Sequence, residues 1–416
     1  MGESTSVSFG VILNSCSKIM ALAGVLLAKR RINPYSAPMI ILHTEASRGW
    51  GGQELRILSE IRAMRARGHT VYLAAAPESE LVKRMAGTPD APMTFPFAGK
   101  FDRTTIKGLR EFMAKAGVQV INSHSSIDGW NDAIACRTMP HVRFVRTRHL
   151  SIPVHRNWPT RWVYSRPHAL VTTGEALRNQ LITVNKQPPA KVLSIATGVD
   201  LTRFDPAAYD RQVVRKEFGV SDDQLFVGMI AMMRPMKGHV VLMQALPKIV
   251  AAVPNARFVI VGGVLDANPM PQDLRDEVAR LGLSDRVHFA GLRQDIPNIL
   301  AALDLKVLPS VSDEGVPQSL TQAMAMGVPV VSTTVGAIGE VVEEGVTGRQ
   351  TAPHDVAGFA DAVIAQLTDR TTAKRLAVVG QDRVRRFYGV DSMTRRTEAL
   401  YQRLLDNKPA WPEPAI

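Results

Sequence analysis

Cysteine is scarce in this 416-residue sequence: only Cys16 and Cys136 are present. Two thiols cannot make a disulfide framework, so the fold must rest on hydrophobic cores, and a reducing compartment suits it. Metal-ligand spacing is absent as well. His124, His141, His149 and His155 stand singly, without the close pairs of a zinc site, so no metal is expected. A clean membrane span is also missing. Phe9 to Ala28 is strongly apolar, but Asn14, Ser15, Ser17 and Lys18 interrupt it, whereas a spanning helix needs about 20 apolar residues. Lys29, Arg30 and Arg31 follow this stretch, the reverse of a signal peptide's charged start. Residues 1–38 therefore read as an extension outside the functional domains, with a weak membrane-contacting helix as the competing reading.

What is present is charge of one sign in one place. The formal net charge is +12, and residues 1–200 hold 26 Lys and Arg against 13 Asp and Glu, so the whole excess lies in the N-terminal half. Such a half suits an anionic partner: lipid headgroups, a phosphorylated glycan or nucleic acid. A purely solubilising charge is the plainer alternative. A basic, aromatic stretch, His155 to Arg166, lies in this half and fits a membrane interface, a glycan or single-stranded nucleic acid. Trp158 and Trp162 stand four apart, so they equally fit one buried helix face.

The length suits two domains of about 100–200 residues each. Met39 to His43 is a short apolar run that enters the glycine-bearing loop Arg48 to Gln53; Leu55, Leu58, Ile61 and Met64 then repeat at helical spacing, and Val71 to Ala75 is the next strand. This βαβ unit recurs through strands at Val118 to Asn122, Phe144 to Thr147 and Ala169 to Thr172. A second series follows Asp205-Pro206, with strands at Phe226 to Ala231, Arg257 to Val261, Val287 to Ala290, Leu305 to Leu308 and Pro329 to Ser332. The pattern predicts an α/β protein of two doubly wound parallel sheets, with ligands at the carboxyl ends of the strands and a cleft between the domains.

Two loops carry the chemistry. Ser310-Val-Ser-Asp-Glu-Gly-Val-Pro317 leaves a strand and feeds a helix, whose free N–H groups and dipole favour phosphate, and Glu314 can accept hydrogen bonds from sugar hydroxyls. A strand–loop–helix connection with a solvated Glu is the structural alternative. Met232 to Gly238 follows another strand and holds Arg234 and Lys237, a fork and a point charge suited to a diphosphate, with solvated surface residues as the plainer alternative.

The stretch from Glu314 through Ala323-Met-Ala-Met-Gly-Val-Pro-Val330 resembles the donor-binding signature of family-4 glycosyltransferases. Ile195 to Phe204, Phe289 to Gly291, and Gly345 to Gly348 resemble further motifs of that family, and the likeness runs from Met39 to Tyr401. The resemblance implies the GT-B fold, two facing Rossmann-like domains with an interdomain cleft. It places an acceptor-side domain at 39–205, a nucleotide-sugar-binding domain at 206–385, and at 386–416 a helix packing back on the N-terminal domain, then a Pro-rich tail. It implies that Glu314 binds the donor sugar, lined by Gly315, Val316 and Pro317. The family's second Glu, a ribose ligand, is replaced here by Gln322, which hydrogen-bonds without charge. Lys237-Gly238 matches the diphosphate motif, but Met232 stands where an Arg is usual and Arg234 lies two residues later. Gly51 and Gly52 lie in a stretch that resembles the family's glycine loop, and His124 matches a His beside the reacting carbon, with a packed or capping His as the structural alternative; His149 matches a less specific position.

The expected function is transfer of a sugar from a nucleotide diphosphate donor, with retention, to a glycan or lipid-linked acceptor in lipopolysaccharide or other envelope glycan synthesis. No cofactor or metal is expected. The expected location is cytoplasmic, peripheral at the inner face of the plasma membrane, with the basic half on the anionic surface. A sugar-nucleotide epimerase of the same fold is the first rival. A nucleic-acid-binding protein is the second, and it leaves Glu314 and the phosphate loops unexplained.

Overall fold

Short runs of apolar residues, nearly all buried along their length, alternate with helices to build two parallel sheets, as continuous apolar strands covered on both faces require. The structure is a computed structural model describing residues 37–149, 154–264, 270–312 and 314–410. Cys16, Phe9 to Ala28, nearly all of the 1–38 extension, Asp313 and the tail from residue 411 lie outside the described residues.

The first sheet comprises β1 (Ile40–Glu45), β2 (Thr70–Ala75), β3 (Met93–Thr94), β4 (Val120–Ser123), β5 (Arg143–Arg148), β6 (Ala169–Thr172) and β7 (Val192–Ser194), in the order β3-β2-β1-β4-β5-β6-β7. Its helices are α1 (Gly52–Ala66), α2 (Glu80–Met85), α3 (Arg103–Ala116), α4 (Ser126–Ala135), α5 (Trp158–Ser165) and α6 (Glu175–Thr183). Local chemistry sets their ends. Asp102 caps α3 by accepting from the N–H groups of Thr104 and Thr105, and Gly117 closes it in the left-handed conformation.

The second sheet has the order β10-β9-β8-β11-β12-β13. It is built from α7 (Arg211–Glu217), β8 (Leu225–Ile230), α8 (His239–Ala252), β9 (Ala256–Val261), α9 (Met270–Arg280), β10 (Val287–Gly291), α10 (Ile296–Ala302), β11 (Leu305–Leu308), α11 (Gln318–Ala325), β12 (Val330–Thr333), β13 (Arg349–Thr351) and α12 (Val356–Thr368). Two long helices follow, α13 (Arg370–Phe387) and α14 (Val390–Leu405). The ten strands expected from the sequence all form. The three that were not expected, β3, β7 and β13, are the shortest, two or three residues each at sheet edges, too short to show a period. Among the described residues no helix is long and apolar enough to cross a membrane.

Strand order reverses between β1 and β4 in one sheet and between β8 and β11 in the other. At these switch points adjacent loops leave in opposite directions and open a crevice at the carboxyl ends. The glycine loop follows β1 and His124 follows β4; Arg234 and Lys237 follow β8 and Glu314 follows β11.

The chain crosses between the sheets twice, side by side. Val199 N donates to Tyr388 O (2.7 Å) and Val390 N to Val199 O (2.9 Å), where Gly198 leaves no room for a side chain: a Cβ there would lie 2.5 Å from Val390 Cα. Beyond this crossing α14 returns to the N-terminal sheet. Met393, Leu400, Tyr401 and Leu404 share a core with Ile57, Ile61, Val71 and Leu73, and Glu398 holds Arg67 and His69. Leu400→Ala should therefore cost about 2–4 kcal/mol, and native-state hydrogen exchange should show the loss in β1, β2 and β4 rather than in the C-terminal sheet. Lost protection confined to the C-terminal sheet would contradict this packing.

Candidate active site

Glycine makes the C-terminal half of the site possible. Gly238 adopts φ 75°, and a Cβ there would lie 1.7 Å from Pro309 O, so only glycine lets the loop after β8 press on the loop after β11. Val311 N completes the seam by donating to Met236 O at 2.8 Å. This contact brings together two residues 77 positions apart. Lys237 Nζ lies 2.5 Å from Glu314 Oε1, which also accepts from Ser310 Oγ at 2.6 Å. Glu314 is buried and Lys237 half-buried. On the far side Gly336, at φ 57°, packs on the Glu314 carbonyl, where a Cβ would approach to 2.0 Å.

The other C-terminal candidates surround this pair. Arg234 is exposed, and Met233 beside it is buried in the core. Pro317 caps α11, whose N-terminus opens beside Glu314; Gly315 and Gln322 are half-buried, with Gln322 on α11. The Val316 side chain turns into the C-terminal core. Two buried bases behind the pair escaped sequence reasoning. Lys306, fully buried on β11, is lowered to about 7 by desolvation with Lys237's charge adding to it, and its Nζ donates to Val307 O at 2.6 Å. His239 is lowered to about 4, again chiefly by burial. Lys306 stands alone as a charged residue within a strand of otherwise apolar residues, which is the signal the sequence did offer.

The N-terminal half meets this one across the cleft. Gln318, the first residue of α11, donates its amide to Gly52 O at 2.8 Å, and a Cβ on Gly52 would come within 2.8 Å of that same nitrogen. Gly51 is the extended N-cap of α1. Burial raises the Glu54 carboxyl, and Arg234 opposite is near enough for its charge to pull it back. Glu45, ending β1, is also raised, by burial first and then by Asp128. Its oxygens are already engaged: Oε1 accepts from Ser47 N at 2.6 Å and Oε2 from the Gln53 amide.

His124 is buried and forms the middle of a chain of three imidazoles. Its Nε2 lies 2.8 Å from His43 Nδ1 and its Nδ1 lies 2.9 Å from His149 Nε2. Burial lowers all three, His43 to about 3. A neutral imidazole has one donor and one acceptor, so both bonds form when they run the same way, which leaves His43 Nε2 without a hydrogen-bond partner among the described residues. His43 was missed in the sequence because it reads as the last residue of an apolar strand. A half-open cavity of about 370 Å³ opens beside His124 and His149, lined also by Trp130 and Arg146. Trp158 is exposed, while Trp162 stacks on Trp130 at 5.4 Å between ring centres, so the two tryptophans do not share one buried face. Among the described residues no group of three or more His, Cys, Asp or Glu is placed to hold a metal ion.

Two facing Rossmann-like domains with phosphate-compatible loops at their switch points define the GT-B class. Residues 50–203 match the family model described as Glycosyltransferase Family 4, and residues 222–369 match that of Glycosyl transferases group 1. The chain belongs to the family-4 glycosyltransferases. It is 31% identical over 214 residues to the lipopolysaccharide core biosynthesis mannosyltransferase LpsB of Rhizobium meliloti, covering 51% of this chain and 60% of that one. It is 27% identical over 399 residues to the D-inositol 3-phosphate glycosyltransferase of Stackebrandtia nassauensis, covering 86% and 89%. In fold it resembles a glycosyltransferase from Rickettsia africae ESF-5 (TM-score 0.81, 19% identity, 90% of this chain and 100% of that one). It also resembles Anabaena HepE solved with UDP and glucose (TM-score 0.75, 21% identity, 87% and 98%). These relatives are transferases, so the epimerase reading is not favoured.

The histidine chain fixes a pH dependence. A base held at about 3 in the fold and near 6.5 when unfolded binds its proton more readily in the unfolded chain between those values. Its contribution to stability is then complete above pH 6.5 and lost as pH falls toward 3. His43→Leu should thus gain about 1–2 kcal/mol relative to the wild type between pH 7.5 and pH 5, measured by urea unfolding. A difference independent of pH would contradict neutral burial.

Proposed function

We propose that the protein moves a sugar from a nucleoside diphosphate donor to a glycan or lipid-linked acceptor, with retention at the anomeric carbon, in lipopolysaccharide or other envelope glycan assembly. The observation that carries this reading is the Lys237–Glu314 pair at the switch point of the C-terminal sheet, beside the helix whose first residue, Gln318, reaches Gly52 across the cleft. Support also comes from HepE, solved with UDP and glucose, and from LpsB, named as a mannosyltransferase of lipopolysaccharide core synthesis.

On this reading an incoming diphosphate competes with Glu314 for Lys237. Arg234 and Lys237 neutralise it, and the N-terminus of α11 faces it with free N–H groups. Glu314, relieved of its cation, accepts hydrogen bonds from the donor sugar, and Gln322 from its place on α11 takes the ribose. His124 stands at the sugar from the N-terminal side. The acceptor hydroxyl approaches the face the diphosphate leaves, and a leaving phosphate oxygen takes its proton; stabilising that developing charge is the main catalytic work. These cations do the neutralising, so transfer should persist in excess chelator. The protein works at the cytoplasmic face of the membrane, held peripherally by its basic half.

Binding tests the donor assignment. A nucleoside diphosphate or its sugar should raise the melting temperature, with UDP and GDP forms compared. Lys237→Met should weaken the diphosphate and its sugar alike, whereas Glu314→Ala should weaken the nucleotide sugar about tenfold more than the bare diphosphate. Equal losses in Glu314→Ala, or no stabilisation by any nucleotide, would overturn the assignment.

A further inference from the structure

The cavity beside His124 has a charge that donor binding does not use. Its described lining includes Lys100, Arg146 and Arg148 and no Asp or Glu. Arg146 is the unusual member. It ends up only 5% exposed, it makes no ion pair among the described residues, and its Nη1 has no hydrogen-bond partner there. Its other contacts position the guanidinium without neutralising it: Nη2 donates to Ser125 O at 3.3 Å, and Cζ lies 4.5 Å from the centre of the Tyr164 ring. The nearby Asp132 carboxyl makes no ion pair with it: burial and then Asp128 push it well up, against the pull of Arg146's own charge, and it accepts from Thr44 Oγ1 at 2.5 Å.

The fold makes room for this cation. Gly129 lies within α4, where glycine is unfavourable by about 0.5–1 kcal/mol relative to alanine. A Cβ there would fall 2.9 Å from Arg146 Cζ, so the missing side chain is the guanidinium's seat. A desolvated cation left without an anion costs several kcal/mol unless a ligand supplies the charge. Beside it stands an apolar platform: Trp130 lines the cavity, with Trp162 stacked behind it at 5.4 Å, and Lys100 Nζ is 5.9 Å from the Trp130 ring centre. A flat apolar face next to a buried cation and two neutral imidazoles fits a sugar ring bearing one anionic group.

We infer that this cavity is the seat of an acceptor sugar carrying a phosphate or carboxylate, with Arg146 as the residue that selects the anion and Lys100 as its guide at the rim. The inference rests on the glycosyl-transfer reading for the role of the bound sugar, though binding itself is tested without turnover. The acceptor's anion seats at Arg146, its ring lies against Trp130, and the histidine chain faces its hydroxyls.

The test uses the full chain with UDP present and reads tryptophan fluorescence, with mannose 6-phosphate, glucuronate, mannose and inorganic phosphate as probes. At least one anionic sugar should bind about tenfold or more tighter than mannose. Comparing mannose 6-phosphate with glucuronate tells phosphate from carboxylate. Arg146→Met should remove about tenfold or more of that affinity while leaving UDP binding unchanged; the exposed Lys100→Glu, which leaves the core untouched, should weaken it in the same direction. Trp130→Phe should reduce the fluorescence response. The inference is overturned if mannose binds as well as the anionic sugars, if none binds, or if the folded variants bind them as the wild type does. Inorganic phosphate binding as tightly as mannose 6-phosphate would show an adventitious anion site only, and would also overturn it. Failure of UDP to bind while anionic sugars do would count against the donor reading alone.

Discussion

The ion pair between Lys237 and Glu314 is the constraint on which the C-terminal half of the candidate site depends. Removing two charges from water is costly, and a half-buried pair holds only when geometry and further hydrogen bonds satisfy it. Here Ser310 Oγ adds a bond to the same carboxylate oxygen that meets Lys237. The pair exists because backbone packs on backbone to either side, Gly238 against Pro309 and Gly336 against Glu314 itself. The glycines of these motifs thus serve the approach of loops to each other. Their effect on function passes through the separation they set between a cation and a carboxylate.

The sheets then decide what the pair can face. Each domain opens at the point where its strand order reverses, and the two openings are held toward one another by contacts at both ends of the cleft. Gln318 reaches Gly52 of the glycine loop, and Glu340 accepts from Ala176 N at 3.1 Å at the start of α6. The doubled crossing at Val199 and Val390, with α14 sealing the N-terminal core, makes the C-terminus a structural part of the opposite domain. Its polar contacts reach the histidine chain: Tyr401 OH joins Asn122 and Glu60, and Glu60 lies 4.0 Å from His43 Nε2. A substitution in the last helix can therefore be felt at His124.

Much of this was legible in the sequence, for identifiable reasons. Long buried strands followed by glycine or polar loops declare themselves by apolar runs, so both sheets could be drawn from β1, β4, β8 and β11 outward. The edge strands β3, β7 and β13 could not, because two or three residues carry no periodicity. Glu314 and Lys237 were both visible as chemistry-bearing residues, but their pairing was not. It is a long-range consequence of the Gly238 contact, and nothing local encodes it. The same holds for the N-terminal side. His124 stood out, yet His43 looked like strand filler, and Arg146 was one basic residue among many until Gly129 and Tyr164 were seen around it. Val316 sat in a motif whose neighbours line the site, but its side chain follows the apolar core.

The central claim is that the Lys237–Glu314 pair is a resting arrangement that opens to take the diphosphate and free the carboxylate for the sugar. The most direct measurement is a crystal structure of the protein soaked with an intact nucleoside diphosphate hexose. The account requires the diphosphate within hydrogen-bond distance of Lys237 Nζ and Arg234, with Glu314 turned from Lys237 onto hexose hydroxyls. A bound nucleotide sugar that left the 2.5 Å pair intact, with its phosphates elsewhere, would contradict it.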